Sequence, residues 1–321
     1  MKLFDHINGT IQALDDDGKG ILAVGEKQVH IPFAFPGDTI EATPIKRQQG
    51  KLFGRVDAVT TPSIDRITPP CPHVGSCGGC PLQALGYDAQ KKWKRQFVVD
   101  AFAEHKLETI IPEVMGATSL FHHRNRMDYV IGVDKQPNSE GKLVSVPNSL
   151  VIGLKESGRW WKTVDLSSCL MLSPEAVEVM HRTKNWLSDH KLGGWDARTH
   201  EGDARYLVIR EGKSTNERMV ILVTADITLP EPDDFVRTLG PLATTVYHAV
   251  NASISDLSIG QTYMLLSGPA ILSETINDIT YHISPTAFFQ TNTQGATILS
   301  DVVRGFVQKG KHESVLDLYC G

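Results

Sequence analysis

Apolar and polar residues alternate over the first sixty positions of the chain. The runs "NGTIQAL", "ILAVG", "KQVHIPF" and "TIEATPI" are each short enough for one strand, and the turn sequences "DDDGKG" and "PGD" separate them. A period of two residues, interrupted by Gly, Pro and Asp, is typical of half-buried β-strands joined by tight turns. Residues 1–62 therefore predict a small β-barrel.

A helical pattern replaces this alternation after Tyr87. Trp93, Phe97 and Ala101 follow one another at four-residue spacing, which places them on one face of a helix. The basic residues of the run "KKWKR" lie mostly elsewhere around the turn. The stretch from Tyr87 to His105 therefore predicts an amphipathic helix with a basic side.

Strand-like runs dominate the middle of the chain. Between residues 120 and 270 they include "RMDYVIGV", "LVSVPNSLVIGL", "YLVIREG" and "RMVILVTA", and one helix is predicted near "SPEAVEVMHRTKNWLSDH". Ser173 stands where its hydroxyl can cap the first turn of that helix. We expect residues 63–270 to form a mixed α+β central domain.

The last fifty residues carry the pattern of an α/β domain. The stretch "NTQGATILSDVVRGFVQKG" predicts a helix, and "SVLDLYCG" predicts a buried strand that ends at a glycine turn. A helix followed by such a strand is how a doubly wound sheet begins. Residues 271–321 are therefore expected to begin such a domain, which makes the chain a multi-domain α/β protein.

Composition limits the class of protein. The 321 residues are 41% hydrophobic, enough for ordinary globular cores, and the formal charge of −5 argues against a generally basic nucleic-acid coat. A local basic face is compatible with that average. The N-terminus lacks the apolar segment of a signal peptide, and the chain has no run of 18 apolar residues. We expect a cytoplasmic monomer that does not enter a membrane.

The sequence "CPHVGSCGGC" concentrates three of the five cysteines into ten positions. Cysteine clusters in a cytosolic protein more often bind metal than form disulfides. The three are Cys71, Cys77 and Cys80, and Cys169 in "DLSSCLML" is the candidate fourth ligand. Spacing alone leaves two groups open, a tetrahedral zinc ion, for which His73 is a possible substitute ligand, and a [4Fe–4S] cluster.

Several motifs together resemble one known family. The run "CPHVGSCGGCPLQALGYDAQKKWK" is preceded by "TPSIDR" and followed far downstream by "SPTAFFQTN" and "VLDLYCG". This combination, which extends over nearly the whole chain, resembles the bacterial RNA (uracil-5-)-methyltransferases of the 23S rRNA type. The resemblance implies an OB-like TRAM barrel, a [4Fe–4S] central domain and a Rossmann-like methyltransferase domain that uses S-adenosylmethionine, in that order.

The resemblance also implies ligands and a substrate. It makes Cys71, Cys77, Cys80 and Cys169 the ligands of the [4Fe–4S] cluster. Bacterial tRNA enzymes of the family lack both the TRAM domain and the cluster, so the resemblance favours 23S rRNA as the RNA substrate.

Cofactor contacts in the family fall on two residues of this sequence, Gln290 and Tyr319. In "SPTAFFQTN", we expect one of Phe288 and Phe289 to pack into a core and the other to lie beside Gln290 as part of a pocket for a base or the cofactor.

The family mechanism is covalent. A cysteine thiolate attacks uracil C6 and C5 then takes the methyl group. A carboxylate removes the C5 proton, and the cysteine leaves C6 as the C5–C6 double bond forms again. The resemblance places that cysteine and that base beyond Gly321, and Cys320 is not the nucleophile. No catalytic residue is therefore assigned within the chain, and the sequence is expected to be an inactive N-terminal fragment.

Two basic stretches are candidates for RNA contact. In the predicted barrel these are Lys46, Arg47, Lys51 and Arg55, with Phe53 as a stacking residue, and in "HHRNR" they are His122, His123, Arg124 and Arg126. OB-like barrels bind single strands through phosphate contacts and stacking, although a solvated surface is the simpler explanation of a charge run.

Three other functions fit the residues. They are a non-catalytic RNA-binding protein with a structural zinc site made of four cysteines, a redox iron–sulfur protein, and, within the family, a tRNA (uracil-5-)-methyltransferase.

Overall fold

The computed structural model describes residues 2–146, 149–310 and 314–318. Contacts divide the chain into two compact units, residues 1–116 and 117–321. The sequence predicts three domains, and this finer division stays a prediction.

The first unit is built around one six-stranded sheet. Its strands are β1 (Ile7–Thr10), β2 (Ala13–Leu14), β3 (Gly20–Val24), β4 (Lys27–Ile31), β5 (Thr39–Gln48) and β6 (Lys51–Thr61). Their order is β1-β5-β6-β4-β3-β2, and only β4 and β6 pair in parallel. Three register shifts bend the hairpin of β5 and β6. Strands β1 and β2 are the two edges of this sheet, and only residues 11–12 separate them along the chain, so the sheet curls as the predicted barrel requires.

Asp38 in the "PGD" turn fixes the barrel to the segment that follows it. Its buried carboxylate accepts the N–H groups of Phe35 (2.7 Å) and Ser63 (2.8 Å), and Arg66 Nη2 donates to it at 2.6 Å. Burial acts to raise the pKa of Asp38, but Arg66 and the two backbone donors outweigh burial and lower that pKa. The charged form of Asp38 therefore orders the connector.

Helix α1 (Tyr87–Glu104) confirms the helix predicted from the sequence, although Ala101 of the predicted apolar face is exposed. Trp93 and Phe97 pack against a small core in the same unit. Its buried members are Leu14, Phe35, Ala84, Leu85 and Ala89. Because Ala84 and Leu85 end the cysteine-containing loop, this core holds the loop against the barrel.

The second unit is built around a seven-stranded sheet. The strands of the unit are β7 (Arg126–Gly132), β8 (Lys135–Pro137), β9 (Leu143–Ser145), β10 (Val151–Glu156), β11 (Arg159–Asp165), β12 (Ala204–Glu211), β13 (Arg218–Thr224), β14 (Thr245–Val250), β15 (Thr262–Ser267), β16 (Leu272–Ile276) and β17 (Ile279–Ile283). The large sheet has the order β11-β10-β7-β12-β13-β14-β15, and only β13 and β14 pair in parallel.

Every residue of β12 and β13 is buried, because both faces of the sheet are covered. The β16–β17 hairpin packs Leu272 and Ile283 onto one face. Helices α2 (Pro174–Asp189) and α3 (Pro232–Leu239) pack together, with α2 against β10 and β12. The mixed α+β interpretation of this region is confirmed in α2 and in five strands, β7, β9, β10, β12 and β13. Helix α3, strands β8, β11, β14 and β15 and the hairpin were not predicted from the sequence.

Ser173 caps α2 as predicted. Its side chain accepts the N–H of Ala176 at 3.1 Å, and Pro174 occupies the first helical position. Helix α4 (Thr293–Gly310) is also where the sequence predicts a helix, and the Asn292 side chain accepts the Gly295 N–H at its start (2.9 Å).

The buried strand predicted at "SVLDLYCG" is wrong over the part that the structure describes. Residues 314–318 have no regular structure, and Leu316 is 80% exposed. A buried strand needs partners for its backbone groups, and no strand within the described ranges pairs with these residues. The beginning of a Rossmann-like domain is therefore not seen in residues 271–310 and 314–318 and stays a prediction.

No helix in the part of the chain described above is long and apolar enough to cross a membrane.

Candidate functional site

The cysteine motif forms a closed loop in the first unit. At its base, Ile67 donates its N–H to Ala84 (2.9 Å) and Gly86 donates its N–H to Asp65 (2.8 Å). A series of turns fills the loop between these bonds. The three predicted ligands Cys71, Cys77 and Cys80 are all half-buried within it.

The donor chemistry of this loop fits a thiolate-bound metal centre, either an iron–sulfur cluster or a zinc ion. The N–H of Gly79 points at Cys77 Sγ (3.4 Å), and N–H groups directed at sulfur are one of the features that tune iron–sulfur clusters. The side chain of Gln83 accepts the N–H of Cys71 (3.0 Å) and orders the start of the loop. Cys169, the predicted fourth ligand, is a buried free thiol after β11 in the second unit.

A short loop between β17 and α4 presents the predicted cofactor residue Gln290. The side chain of Gln290 is exposed, and so is Phe288, which is 84% exposed. Phe289 packs against the core of the large sheet, with its ring 5.5 Å from that of Tyr281. The expectation that one phenylalanine packs against a core is therefore confirmed for Phe289, which is half-buried, whereas a role for Phe288 beside Gln290 stays a prediction.

Asn125, which no sequence pattern singled out, lies behind this loop. It is 4% exposed, and its Nδ2 donates to the carbonyl of Gln290 (2.7 Å) and to Thr293 Oγ1 (2.9 Å). Its backbone N–H donates to the carbonyl of Thr291 (2.8 Å). The other predicted cofactor residue, Tyr319, lies outside the described residues, as does Cys320.

The basic residues of the barrel gather at one hairpin tip. Lys46, Arg47 and Lys51 are exposed around the turn between β5 and β6, where Gln49 and Gly50 have left-handed backbone (φ 48° and 77°). Residues with positive φ at both central positions give the turn that matches the twist of a hairpin. The three cations therefore project from a tight turn.

The ring of Phe53 makes cation–π contacts with two lysines of the same unit. Lys46 Nζ lies 5.2 Å and Lys19 Nζ 5.7 Å from its ring centroid. Arg55 is paired with Asp57 (2.9 Å). A base that stacks on Phe53 would compete with these contacts, and Arg55 offers less charge to phosphate than the hairpin tip does.

The second basic stretch is not an exposed basic face. Both Nε and Nη2 of Arg126 donate to Asp128 (2.8 and 3.0 Å). His123 and Arg124 are half-buried, and burial lowers the pKa of His123. Only His122 of the predicted set is exposed, so this stretch presents little charge to RNA.

His190, Glu231 and Asp234 form a ligand-like group between α2 and α3, with ligating atoms within 4.8 Å of one another. The Asp234 carboxylate already accepts Trp186 Nε1 and Arg237 Nη2, each at 3.0 Å. These bonds identify Asp234 as a structural link between the two helices.

Comparisons with known proteins show which domain the barrel resembles and which proteins the whole chain resembles. A family model described as the TRAM domain of tRNA (uracil(54)-C(5))-methyltransferase matches residues 7–63. The tRNA (uracil(54)-C(5))-methyltransferase of Pyrococcus abyssi is 33% identical over 318 residues, 98% of this chain and 69% of the relative. An uncharacterized RNA methyltransferase of Nanoarchaeum equitans is 32% identical over 97% of this chain and 64% of the relative.

A solved structure of one of these relatives also matches the chain. The crystal structure of the Pyrococcus abyssi tRNA (uracil-54, C5)-methyltransferase in complex with S-adenosyl-L-homocysteine has a TM-score of 0.76 and 30% identity, over 98% of this chain and 68% of that chain. The matches thus define a class, RNA methyltransferases with a TRAM domain. Within that class, the chain belongs to the RNA (uracil-C5)-methyltransferase family.

Two parts of the family resemblance gain no support from these matches. The chain spans 64 to 69% of the length of the relatives named here, and its expected inactivity stays a prediction. The preference for 23S rRNA rested on the absence of a TRAM domain from bacterial tRNA enzymes, but the matching TRAM model is itself that of a tRNA enzyme. The TRAM domain therefore does not argue against tRNA.

Proposed function

We propose that this chain takes part in the methylation of uracil C5 in RNA with S-adenosylmethionine as the methyl donor. The observation that carries the proposal is the ordered loop before α4, which displays Gln290 and Phe288 on a chain of this family. The amide of Gln290 can donate and accept hydrogen bonds to the polar groups of the cofactor, and the flat Phe288 ring can stack on a base or on the adenine. When bound, the cofactor supplies an electrophilic methyl group.

The choice of RNA follows the relatives. The Pyrococcus relatives are named as tRNA (uracil(54)-C(5))-methyltransferases, and the barrel matches the TRAM model of such an enzyme. We infer that a tRNA is a better candidate substrate than the 23S rRNA predicted from the sequence.

A [4Fe–4S] cluster completes the proposal. Cys71, Cys77, Cys80 and Cys169 would hold it, and three of these sit in a loop whose backbone is closed at its base and directs an N–H group at sulfur. A structural zinc ion on the same thiolates is the alternative, and iron and zinc analysis separates the two.

The test is methyl transfer from labelled S-adenosylmethionine to unmodified transcripts of tRNA and 23S rRNA, with RNA binding measured in parallel. Transfer to tRNA alone supports the substrate proposed here, and transfer to 23S rRNA alone supports the sequence-based one. Either result also shows that the expected inactivity is wrong. Binding without transfer agrees with an inactive chain, whereas a chain that neither binds nor methylates RNA contradicts the proposed function.

Alanine at Lys46, Arg47 and Lys51 together is expected to weaken RNA binding and to reduce its salt dependence. Each phosphate contact that is lost lowers the slope of log affinity against log salt by roughly one unit. A matched control removes three exposed cations that pair with acids in the second unit, Lys142, Arg159 and Arg237. Filter binding between about 50 and 200 mM salt measures both slopes. Equal slopes for the two variants would mean that the hairpin tip is only a solvated surface.

A further inference from the structure

Arg210 on β12 is a buried cation, and the hydrogen bonds of its side chain within the described part of the chain all go to the backbone of one loop. It is 2% exposed, and its Nη1 donates to the carbonyls of Ser284 (2.8 Å) and Pro285 (3.1 Å), while Nη2 donates to that of Ala287 (2.8 Å). Within residues 2–146, 149–310 and 314–318, no carboxylate forms an ion pair with it. Its charge is therefore balanced at contact distance by carbonyl dipoles, and the Asp128 carboxylate on β7 adds attraction without an ion pair.

The burial of the Arg210 guanidinium has an unfavourable free energy. Burial of a guanidinium without an ion-pair partner is unfavourable, and buried ionic groups can often be replaced by apolar residues of similar size without loss of stability. Burial, and then the neighbouring cation of Arg126 on β7, lower the pKa of Arg210 to about 10. The guanidinium is planar and offers several donors in a fixed fork, so it can fix several carbonyls at once. Because burying this guanidinium costs free energy, we infer that the conformation of the loop it binds is important for function.

Asn125 holds the other end of the same loop. Its side chain and backbone bind Gln290, Thr291 and Thr293, as described above. Arg210 and Asn125 together bind the segment on both sides of Phe288, from Ser284 to Thr293. Phe289 packs into the core between them. The back of the loop is thus fixed, while Phe288 and Gln290 point outwards.

We propose that Arg210 and Asn125 are positioning residues that hold residues 284–293 in the conformation that presents Gln290 and Phe288 to the cofactor and the RNA base. The inference rests on the proposed function for what those two side chains contact. It does not depend on that function for the way in which the loop is held.

The chain contains a matched control for Arg210. Arg205 lies on the same strand, is 1% exposed and donates to the carbonyl of Asn251 (2.6 Å) and to those of Ser253 and Ser255. It binds a different loop by the same chemistry. Substitution of either arginine therefore removes a comparable buried cation, but only one of them touches residues 284–293.

Hydrogen–deuterium exchange without any ligand tests how the loop is held. In Arg210→Met, amides of residues 284–293 are expected to exchange about tenfold faster than in the unsubstituted chain, because bonds of a charged donor are lost. In Arg205→Met, the increase is expected near residues 251–255 instead. Arg210→Lys, which keeps the charge without the fork, should give an intermediate rate and serves if Arg210→Met does not fold. Unchanged exchange in residues 284–293 for both Arg210 variants overturns the proposal.

Affinity for labelled S-adenosylmethionine tests whether the position of the loop matters. We expect about tenfold weaker binding for Arg210→Met and unchanged binding for Arg205→Met, measured at a temperature where both are folded. Faster exchange with unchanged affinity would reduce Arg210 to a structural role. If the unsubstituted chain binds no cofactor, the proposed contact of Gln290 fails, and the exchange experiment alone decides whether Arg210 holds the loop.

Discussion

Serine in place of Cys80 is expected to abolish the iron content of the protein. Purified without oxygen, the unsubstituted chain should be brown and contain about four iron atoms per chain, as a [4Fe–4S] cluster requires, with little zinc. The reason is that three half-buried thiols share one closed loop, and a cluster that loses one of its four thiolates no longer has a complete ligand set. Metal analysis and the visible absorption of the cluster measure the result.

Two further substitutions make this experiment specific. Cys169→Ser should have the same effect, because Cys169 is the predicted fourth ligand. Cys320→Ser is the control, since this cysteine stands outside the predicted set, and it should leave the iron content unchanged. Stoichiometric zinc in protein prepared without added metal would favour the structural zinc site instead.

Local patterns in the sequence were sufficient for the elements whose cause is local. The alternation of the first sixty residues and its Gly and Pro turns predicted the barrel, and Ser173 before Pro174 predicted the start of α2. Helix α3 could have been found by the same means. It has proline at its first position, two acidic residues in its first turn and a glycine at its end.

Elements with non-local causes were harder to predict. The run "SVLDL" has the composition of a buried strand, but a strand also needs a neighbouring strand, and composition does not show whether one is present. The contacts of Arg210 and Asn125 could not be predicted from the sequence either. These two residues bind a loop that is 74 or more residues away along the chain, and in the sequence they look like ordinary polar residues beside or within strands. Only the fold brings them behind Gln290.

Alanine in place of Glu274 is expected to lower the free energy of unfolding by about 1–3 kcal/mol, because buried donors that lose their acceptor remain unsatisfied. Glu274 is 0% exposed in the β16–β17 hairpin. Its carboxylate accepts the N–H groups of Lys213 (2.7 Å) and Ser214 (2.9 Å), and the hydroxyl of Thr293 (2.9 Å) at the start of α4. Truncation leaves these buried donors without their acceptor. Urea unfolding measures the loss.

Glu140→Ala is the matched control for this experiment. Glu140 is an exposed glutamate of the same unit, paired with Lys142 on the surface, and its loss should change the free energy of unfolding by less than about 1 kcal/mol. A similar small change for Glu274→Ala would contradict the structural role given to the buried carboxylate.

The stabilisation that Glu274 gives to the folded protein should be lost at acidic pH. Burial acts to raise the pKa of Glu274, but hydrogen bonds from Ser214, Lys213 and Thr293 outweigh it and lower that pKa below the ordinary value of 4.5. A lowered pKa means that the charged form is favoured by folding, so its contribution is fully present above pH 4.5 and is lost as the pH falls through the folded value. The difference in unfolding free energy between the unsubstituted chain and Glu274→Gln, which cannot titrate, should therefore shrink below pH 4.5. A difference that stays constant from about pH 6 to about pH 3 would mean that the ionised carboxylate does not stabilise this junction of hairpin and helix.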